Sequence, residues 1–176
     1  QIIDDVAHGL RDNGISADIV ISIAAGTPLN TIASYDLHRT GLVRVMPNTP
    51  SLIGRGVLVG CAAKSYQLNA AHKNAIEKMM SVCGHFEWID DEAQMDVVTA
   101  LSGSGPAYLF AMIESMAFAG EQAGLSKDLA QRLARATIEG AAALCAHEND
   151  KDIESLRKSV TSPGGTTEAG LEILMP

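Results

Sequence analysis

The sequence predicts an α/β fold over residues 1–90, followed by an all-α fold over residues 91–176. Up to about residue 90, short β-branched runs alternate with helix-like segments, which is typical of an open α/β sheet. Beyond residue 91 the strand-like runs stop, and apolar residues recur at helical spacing. The length of 176 residues fits one ordinary domain or two small ones, and a hydrophobic content of 47 % is enough for a packed core.

Four strands and two helices are predicted in the first part. Residues 19–23 form a short β-branched run that ends in Ala24-Ala25-Gly26 and is typical of a strand buried on both faces. Residues 28–35 suit a short helix, with Thr27 as its cap and Pro28 in its first position. The remaining predicted elements are strands at residues 42–46, 56–61 and 85–89 and a helix at residues 65–82.

The second part is predicted to be helical throughout. Residues 91–101 form a first helix, and Gly103-Ser104-Gly105-Pro106 starts a long second one, with Ser104 as its cap. Residues 107–123 are apolar on nearly every side, so we expect this helix to be buried all round. Because so many apolar helix faces exceed what half a chain can cover, the pattern predicts a homodimer formed through this part.

Three further helices are predicted after the long one. Gly124 ends the long helix, and Ser126 caps the next, which runs to about His147 and carries Gly140, where we expect neighbouring helices to approach closely. Residues 153–160 form another helix. A last helix begins near Thr166 and directs three apolar residues to its buried side: Ala169, Leu171 and Leu174.

Charge and cysteine usage argue against several classes of partner. The net charge is −8 and no stretch is rich in lysine or arginine, which disfavours a nucleic acid or an anionic membrane surface. The five histidines and three cysteines lack the spacing of a metal site, so no bound metal is expected. Because the chain shows no basic-then-apolar leader and no long apolar run, we expect a cytoplasmic protein without a membrane segment, whose thiols are buried and reduced.

A glycine-rich loop, Ser162-Pro163-Gly164-Gly165-Thr166-Thr167, carries the strongest functional signal. Glycine reaches backbone conformations that let several N–H groups converge on one oxygen anion. The loop leads into a helix N-terminus, which favours a carboxylate or a phosphate. From the residues alone, an ordinary polar turn explains the same run equally well.

Two predicted strands end in segments that suit a flat cofactor. Ala24-Ala25-Gly26 follows the first strand and Met46-Pro47-Asn48 ends the second, where ligands of open α/β sheets bind. The Asn48 amide could bind a carboxamide or a ribose hydroxyl, and a rigid Asx turn between elements is the alternative. The chain contains no GxGxxG dinucleotide fingerprint.

Taken in order, these segments resemble the pyrroline-5-carboxylate reductases. The resemblance implies that residues 1–90 are the C-terminal part of a Rossmann NAD(P)-binding domain. It implies that residues 91–176 are a helical dimerisation and substrate-binding domain, similar to the C-terminal domain of 6-phosphogluconate dehydrogenase. The N-terminal glycine-rich part and the last C-terminal helix of the family are not found, which suggests a fragment. Five motifs carry the match: Ser22-Ile23-Ala24-Ala25-Gly26, Arg44-Val45-Met46-Pro47-Asn48-Thr49-Pro50, Leu101-Ser102-Gly103-Ser104-Gly105-Pro106-Ala107-Tyr108, Glu114 with Ala119-Gly120 and Gly124-Leu125, and Val160-Thr161-Ser162-Pro163-Gly164-Gly165-Thr166-Thr167.

The resemblance also implies an activity and a division of labour among residues. The activity is reduction of 1-pyrroline-5-carboxylate to L-proline by hydride transfer from NADPH or NADH, the last step of proline biosynthesis. The N–H groups of Ser162, Gly164 and Gly165, with the Ser162 hydroxyl in support, would hold the substrate carboxylate. Thr166 and Thr167 would also bind the substrate, and Thr167 would lie near the ring nitrogen as the catalytic hydroxyl. A homodimer is implied, with a higher homo-oligomer as a further possibility. The residues implied to line the nicotinamide are Ile23, Ala24, Ala25, Gly26, Met46, Pro47 and Asn48.

Two alternatives remain open on the sequence. The chain could be an inactive helical dimerisation fragment of such an enzyme. It could also be another reductase or dehydrogenase of the 3-hydroxyacid dehydrogenase superfamily, which includes the 6-phosphogluconate dehydrogenases. Those enzymes carry a catalytic lysine after a comparable glycine turn, whereas no lysine occurs here between Lys78 and Lys127. The same gap disfavours ketopantoate reductase.

Overall fold

The computed structural model describes residues 2–15, 17–35, 38–66 and 68–175, and it divides into two compact units, Gln1–Tyr108 and Leu109–Pro176. The first unit contains a sheet with helices and the second is entirely helical, so the predicted fold class is confirmed. The division into two units falls inside a helix. The functional boundary after residue 90 stays a prediction.

The first unit is built on a four-stranded sheet in the order β1-β2-β3-β4. β1 is parallel to β2 and β3 is parallel to β4, whereas β2 and β3 are antiparallel. All four predicted strands are confirmed, and the second begins at His38 rather than at residue 42. The predicted burial of the first strand on both faces is wrong, since Ile19, Val20 and Ile21 are only half-buried and Ile23 lies beyond the end of the strand and is exposed. The strands are β1 (Ala17–Ser22), β2 (His38–Met46), β3 (Gly56–Ala62) and β4 (Gly84–Ile89).

Three helices accompany these strands: α1 (Ile2–Asp12), α2 (Leu29–Ala33) and α3 (Ala70–Met80). α1 is not among the predicted elements. The predicted cap of α2, Thr27, is wrong: Pro28 holds the N-cap position in an extended conformation, and its carbonyl accepts the first helical hydrogen bonds. α3 is shorter than predicted because the Asn69 side chain accepts the His72 N–H at 2.8 Å and starts the helix there.

The core of this unit lies on both faces of the sheet. Because side chains alternate along a strand, Leu42 faces one side of β2 while Val43 and Val45 face the other. α2 packs on the Leu42 side and α3 packs on the opposite side through Ile76. Apolar packing on both faces of the sheet therefore stabilises the edge at which β1 and β2 end.

Residues 91–101 are helical in several short pieces instead of the single helix predicted. A 3₁₀ turn (Glu92–Gln94) is followed by α4 (Met95–Val98) and by a π-helix (Thr99–Gly103). The Asp91 side chain caps the 3₁₀ turn by accepting the Ala93 N–H at 3.1 Å. Met95, which is fully buried, fixes this segment to the core.

The second unit contains most of α5 (Gly105–Gln122), which begins in the first unit, together with α6 (Lys127–His147), α7 (Ile153–Ser159) and α8 (Thr166–Leu174). Gly124 ends α5 as predicted, with φ +103°, and Ser126 is the N-cap of α6. The close approach between helices lies at Gly120, where an added Cβ would come within 3.3 Å of the Ala130 Cβ. At Gly140, where the close approach was predicted, an added Cβ would meet nothing within 4 Å.

Several predicted burials do not occur within one chain. α5 leaves apolar side chains exposed on much of its surface, because one chain supplies too few helices to cover it: Leu109, Phe110, Met112, Met116 and Phe118. On α8, Ala169 and Leu174 are exposed and Leu171 is half-buried. Of the cysteines, Cys61 is buried, Cys83 is half-buried and Cys145 is exposed, so the prediction of buried thiols is wrong for Cys145. Burial raises the pKa of the Cys61 thiol.

None of the helices within the described ranges combines the length and the apolarity needed to cross a bilayer. Nor do the described residues bring together three or more histidine, cysteine, aspartate or glutamate side chains in a way that could hold a metal ion.

Candidate functional site

The parallel strands β1 and β2 end at the same edge of the sheet, and a tight turn follows β1. The Thr27 N–H donates to the Ala24 carbonyl at 3.4 Å, which closes a turn over residues 24–27. Gly26 has φ +71° in the third position, where a type II turn requires a positive φ. The Ser22 hydroxyl accepts the Ala24 N–H at 3.3 Å and holds the start of the turn.

This turn offers an open surface of small residues. An added Cβ at Gly26 would meet nothing within 4 Å, and the adjacent Ile23 is exposed. The turn therefore presents backbone and one apolar side chain to solvent, which suits the flat face of an aromatic ring.

The side chain of Asn48 is bound on both sides. Its Oδ1 accepts the Val57 N–H at 2.9 Å, and its Nδ2 donates to the Ser102 carbonyl at 3.0 Å. These bonds fix the segment after β2 to the start of β3 and to the π-helix. The side chain is thus fixed by distant partners, and the Asx turn given as the alternative is not formed, because Asn48 makes no side-chain bond to the 3₁₀ turn that follows it. Contact between Asn48 and a cofactor stays a prediction.

Met46 packs against the π-helix as well. An added Cβ at Gly103 would lie 2.6 Å from the Met46 Cε, so the end of the Met46 side chain would have to move to make room for it. The sequence predicts a helix start at Gly103-Ser104-Gly105-Pro106 and misses this contact. π-Helical turns occur frequently at functional sites.

The glycine-rich loop is a second tight turn, located in the second unit. The Gly165 N–H donates to the Ser162 carbonyl at 3.0 Å, with Pro163 and Gly164 between them. Gly164 has φ +70°, so proline and glycine occupy the positions that a type II turn prefers. Next to the loop, the Thr161 hydroxyl donates to the Arg157 carbonyl at 2.8 Å and anchors it to α7.

A carboxylate of the chain itself lies on this loop. The Gly164 N–H donates to Oε2 of Glu168 at 2.7 Å. Glu168 is three residues beyond Gly165, the N-cap of α8, which is the position of the acidic residue in a capping box. That spacing was a signal in the sequence that could have identified Glu168, and it was missed.

The remaining predicted site residues of the loop are exposed. Thr166 and Thr167 are the first two residues of α8, where the helix dipole favours negative charge. Ser162 is exposed at the start of the turn. The loop and the start of α8 thus bring Ser162, Gly164, Gly165, Thr166 and Thr167 together, while Ile23 to Gly26 and Met46 to Asn48 belong to the first unit.

Comparison with known proteins gives a consistent family. Residues 92–176 match the family model of the pyrroline-5-carboxylate reductase dimerisation domain. The pyrroline-5-carboxylate reductase of Pseudomonas aeruginosa is 43 % identical over 154 residues, which cover 88 % of this chain and 55 % of that protein. The enzyme of the same name from Pasteurella multocida is 38 % identical over 174 residues, which cover 99 % of this chain and 62 % of that protein.

Solved structures agree in fold. A pyrroline-5-carboxylate reductase from Coxiella burnetii matches with a TM-score of 0.85 at 37 % identity, covering 98 % of this chain and 63 % of that one. The pyrroline carboxylate reductase of Plasmodium falciparum, solved with NADP bound, matches with a TM-score of 0.76 at 35 % identity, covering 89 % of this chain and 58 % of that one. This chain therefore spans less than two thirds of the length of these relatives. By sequence and by fold, it is similar to the pyrroline-5-carboxylate reductases, and its residues 92–176 match the dimerisation domain of that family.

Proposed function

We propose that these residues form part of an enzyme that reduces 1-pyrroline-5-carboxylate to L-proline with NAD(P)H, the last step of proline biosynthesis. Similarity to the pyrroline-5-carboxylate reductases supports the reaction, and the contact between the Gly164 N–H and a carboxylate supports the mode of binding. We assign the activity to these residues together with the rest of the fold that the longer relatives carry.

The substrate of this reaction is a small cyclic imine that bears a carboxylate. In the proposal, the N–H groups of Ser162, Gly164 and Gly165 surround that carboxylate, and the hydroxyls of Ser162 and Thr166 support it. For these N–H groups to turn to the substrate, the Gly164 N–H must release Glu168 and the Gly165 N–H must release the Ser162 carbonyl. The loop supplies dipoles without a formal positive charge, which agrees with the acidic balance of the whole chain.

The residues at the end of β1 and β2 fit a nicotinamide ring. The turn at Gly26 is open above its backbone, and Ile23 presents an apolar side chain beside it. In the proposal Ile23, Ala24, Ala25, Gly26, Met46, Pro47 and Asn48 line the ring. The bound NADPH or NADH supplies the hydride.

Thr167 is proposed as the catalytic residue, because its hydroxyl would lie at the imine nitrogen. Protonation of that nitrogen makes the imine carbon more electrophilic, and a positioned hydroxyl can orient the imine or relay the proton. The remaining task of the protein is to align the two reactants, since the chemistry requires no covalent step on the enzyme.

Replacement of Thr167 tests this mechanism in a protein of the relatives' full length that carries these residues. We expect Thr167→Ala to lower kcat by about 10- to 100-fold, the order expected for the loss of one positioned hydrogen bond. Thr167→Ser keeps the hydroxyl and should retain most of the activity. Steady-state turnover with 1-pyrroline-5-carboxylate and NADPH is the measurement.

Two results would count against the proposal in different ways. An unchanged rate in Thr167→Ala would remove Thr167 from the mechanism and leave the reaction in place. No turnover by the wild-type protein with either NADPH or NADH would reject the reaction itself.

We further infer that the active form is a homodimer, or a higher homo-oligomer built from it, formed through the helical unit. The family model for residues 92–176 is named for dimerisation, and α5 leaves an apolar surface uncovered.

A further inference from the structure

The carboxylate of Glu92 links the segment that follows β1 to the last part of β2, next to the proposed cofactor site. Its Oε1 accepts the Leu29 N–H at 2.8 Å and an N–H of the Arg44 guanidinium at 3.0 Å. Leu29 begins α2, just after the turn that holds Gly26, and Arg44 lies on β2 just before Met46. The two partners thus flank the two segments proposed to line the nicotinamide.

Burial makes this arrangement rigid. The Arg44 side chain is only 7 % exposed, and that of Glu92 is 30 % exposed. A buried guanidinium needs a charged partner, and Glu92 supplies it. The Leu29 N–H belongs to the first turn of α2, where backbone N–H groups have no partner inside the helix, and the same carboxylate satisfies it.

The turn between β1 and α2 is consequently held at both ends. Ser22, which bonds the start of the turn, pairs with Arg44 in the parallel register of β1 and β2. Glu92 bonds the residue that follows Pro28, beyond the end of the turn. Residues 23–28 therefore span two fixed points, and Glu92 also ties the second of these points to β2.

We propose that Glu92 is a positioning residue for the nicotinamide cofactor. Glu92 contacts neither of the proposed cofactor segments directly. It acts by holding Leu29 and Arg44, which flank these segments, at a fixed distance from each other. This inference rests on the proposed function. Glu92 is the first residue matched by the dimerisation-domain model, yet its side chain accepts hydrogen bonds from Leu29 and Arg44, which both lie in the first unit.

The test is the split between kcat and the two KM values in the full-length protein. We expect Glu92→Ala to raise KM for NADPH roughly tenfold, since small displacements of positioning groups have effects of this order. KM for 1-pyrroline-5-carboxylate should stay within about twofold of the wild-type value, because its proposed loop lies elsewhere in the chain. Glu92→Gln keeps an oxygen for the Leu29 N–H and loses only the charge, so its effect on the NADPH KM should be smaller. Asp96→Asn, at an exposed carboxylate one turn further along, is the matched control and should leave all constants unchanged.

A purely structural role predicts a different result. In that case the variants would give less folded protein, and the folded fraction would bind NADPH with the wild-type KM; this would overturn the inference. Amide hydrogen exchange on this 176-residue chain gives a second readout, since faster exchange at Leu29 and Thr27 in Glu92→Ala is expected and unchanged exchange contradicts it. Absence of turnover in the wild-type protein would instead reject the proposed function. The two failures can be told apart because the wild-type protein is assayed before the variants.

Discussion

At the scale of single residues, Glu168 shows most clearly what the glycine-rich loop can bind. Its carboxylate lies 2.7 Å from the Gly164 nitrogen, at a loop that carries no lysine or arginine. A ligand carboxylate that used the same N–H would have to displace Glu168 and would then lie close to its negative charge. Hydrogen bonds between carboxylates and backbone N–H groups are stronger than neutral ones, so this competition affects affinity.

Glu168→Gln is expected to strengthen substrate binding. Removal of the charge weakens the internal competitor and relieves repulsion of the substrate carboxylate, so KM for 1-pyrroline-5-carboxylate should fall about two- to fivefold, the range for one exposed charge contact. The measurement is steady-state kinetics of the full-length protein.

The control for this change is Glu172→Gln, one turn further along α8, which alters the net charge by the same amount. If KM falls equally in both variants, the net charge of the protein, and not the contact of Glu168 with the loop, is the cause. If KM rises in Glu168→Gln, Glu168 serves only to stabilise the start of the helix.

Single residues were predictable where glycine fixes the backbone. Gly26 and Gly164 are in turns with positive φ, as their sequence context suggests. The bonds of Glu92 and Asn48 were not predictable, because they join residues far apart in the sequence, and a carboxylate or amide gives no sign of its distant partner.

At the scale of elements, α5 is the part of the fold that one chain leaves incomplete. Phe110 is 58 % exposed and Phe118 is 65 % exposed, on a helix whose apolar character is nearly continuous. Burial of such a surface by a second copy is favourable at roughly 25 cal/mol per Å². The uncovered helix is the physical reason to expect a dimer.

Phe110→Glu should therefore weaken the dimer. The wild-type chain is expected to sediment at about twice its 18.5 kDa mass, and the variant should shift toward the monomer as the protein is diluted. Analytical ultracentrifugation over a dilution series is the measurement. Gln122→Glu, at the exposed end of α5, adds the same charge and should leave the dimer intact, and a wild-type chain that stays monomeric would contradict the inference.

Strands were predicted more accurately than helix ends. Runs such as residues 42–46 carry their own signal, because side chains on both faces are buried. The broken helix at residues 92–103 was not predictable, since its 3₁₀ and π turns depend on the buried Met95 and on the contact between Gly103 and Met46. α1 was missed, although Ile3, Ala7 and Leu10 recur at helical spacing.

At the scale of the whole molecule, the order of motifs carried more information than any one of them. By composition alone, the loop at residues 162–167 could equally be an ordinary turn or an anion-binding site. The four motifs that precede it in the chain favour a family in which the ligand of this loop is a carboxylate. The sheet and the helical unit provide the fold class of that family. The assignment of cofactor residues to the first unit and of substrate residues to the second rests on the resemblance alone.

The central claim is that residues 162–167 hold the substrate by its carboxylate, and product inhibition tests it most directly. L-Proline and L-prolinamide differ only in the group that this loop is proposed to bind. In the full-length protein, with 1-pyrroline-5-carboxylate varied at fixed NADPH, L-proline should inhibit competitively. L-Prolinamide should bind at least about tenfold more weakly, because it loses the charge-assisted hydrogen bonds. Equal inhibition constants for the two compounds would contradict the claim.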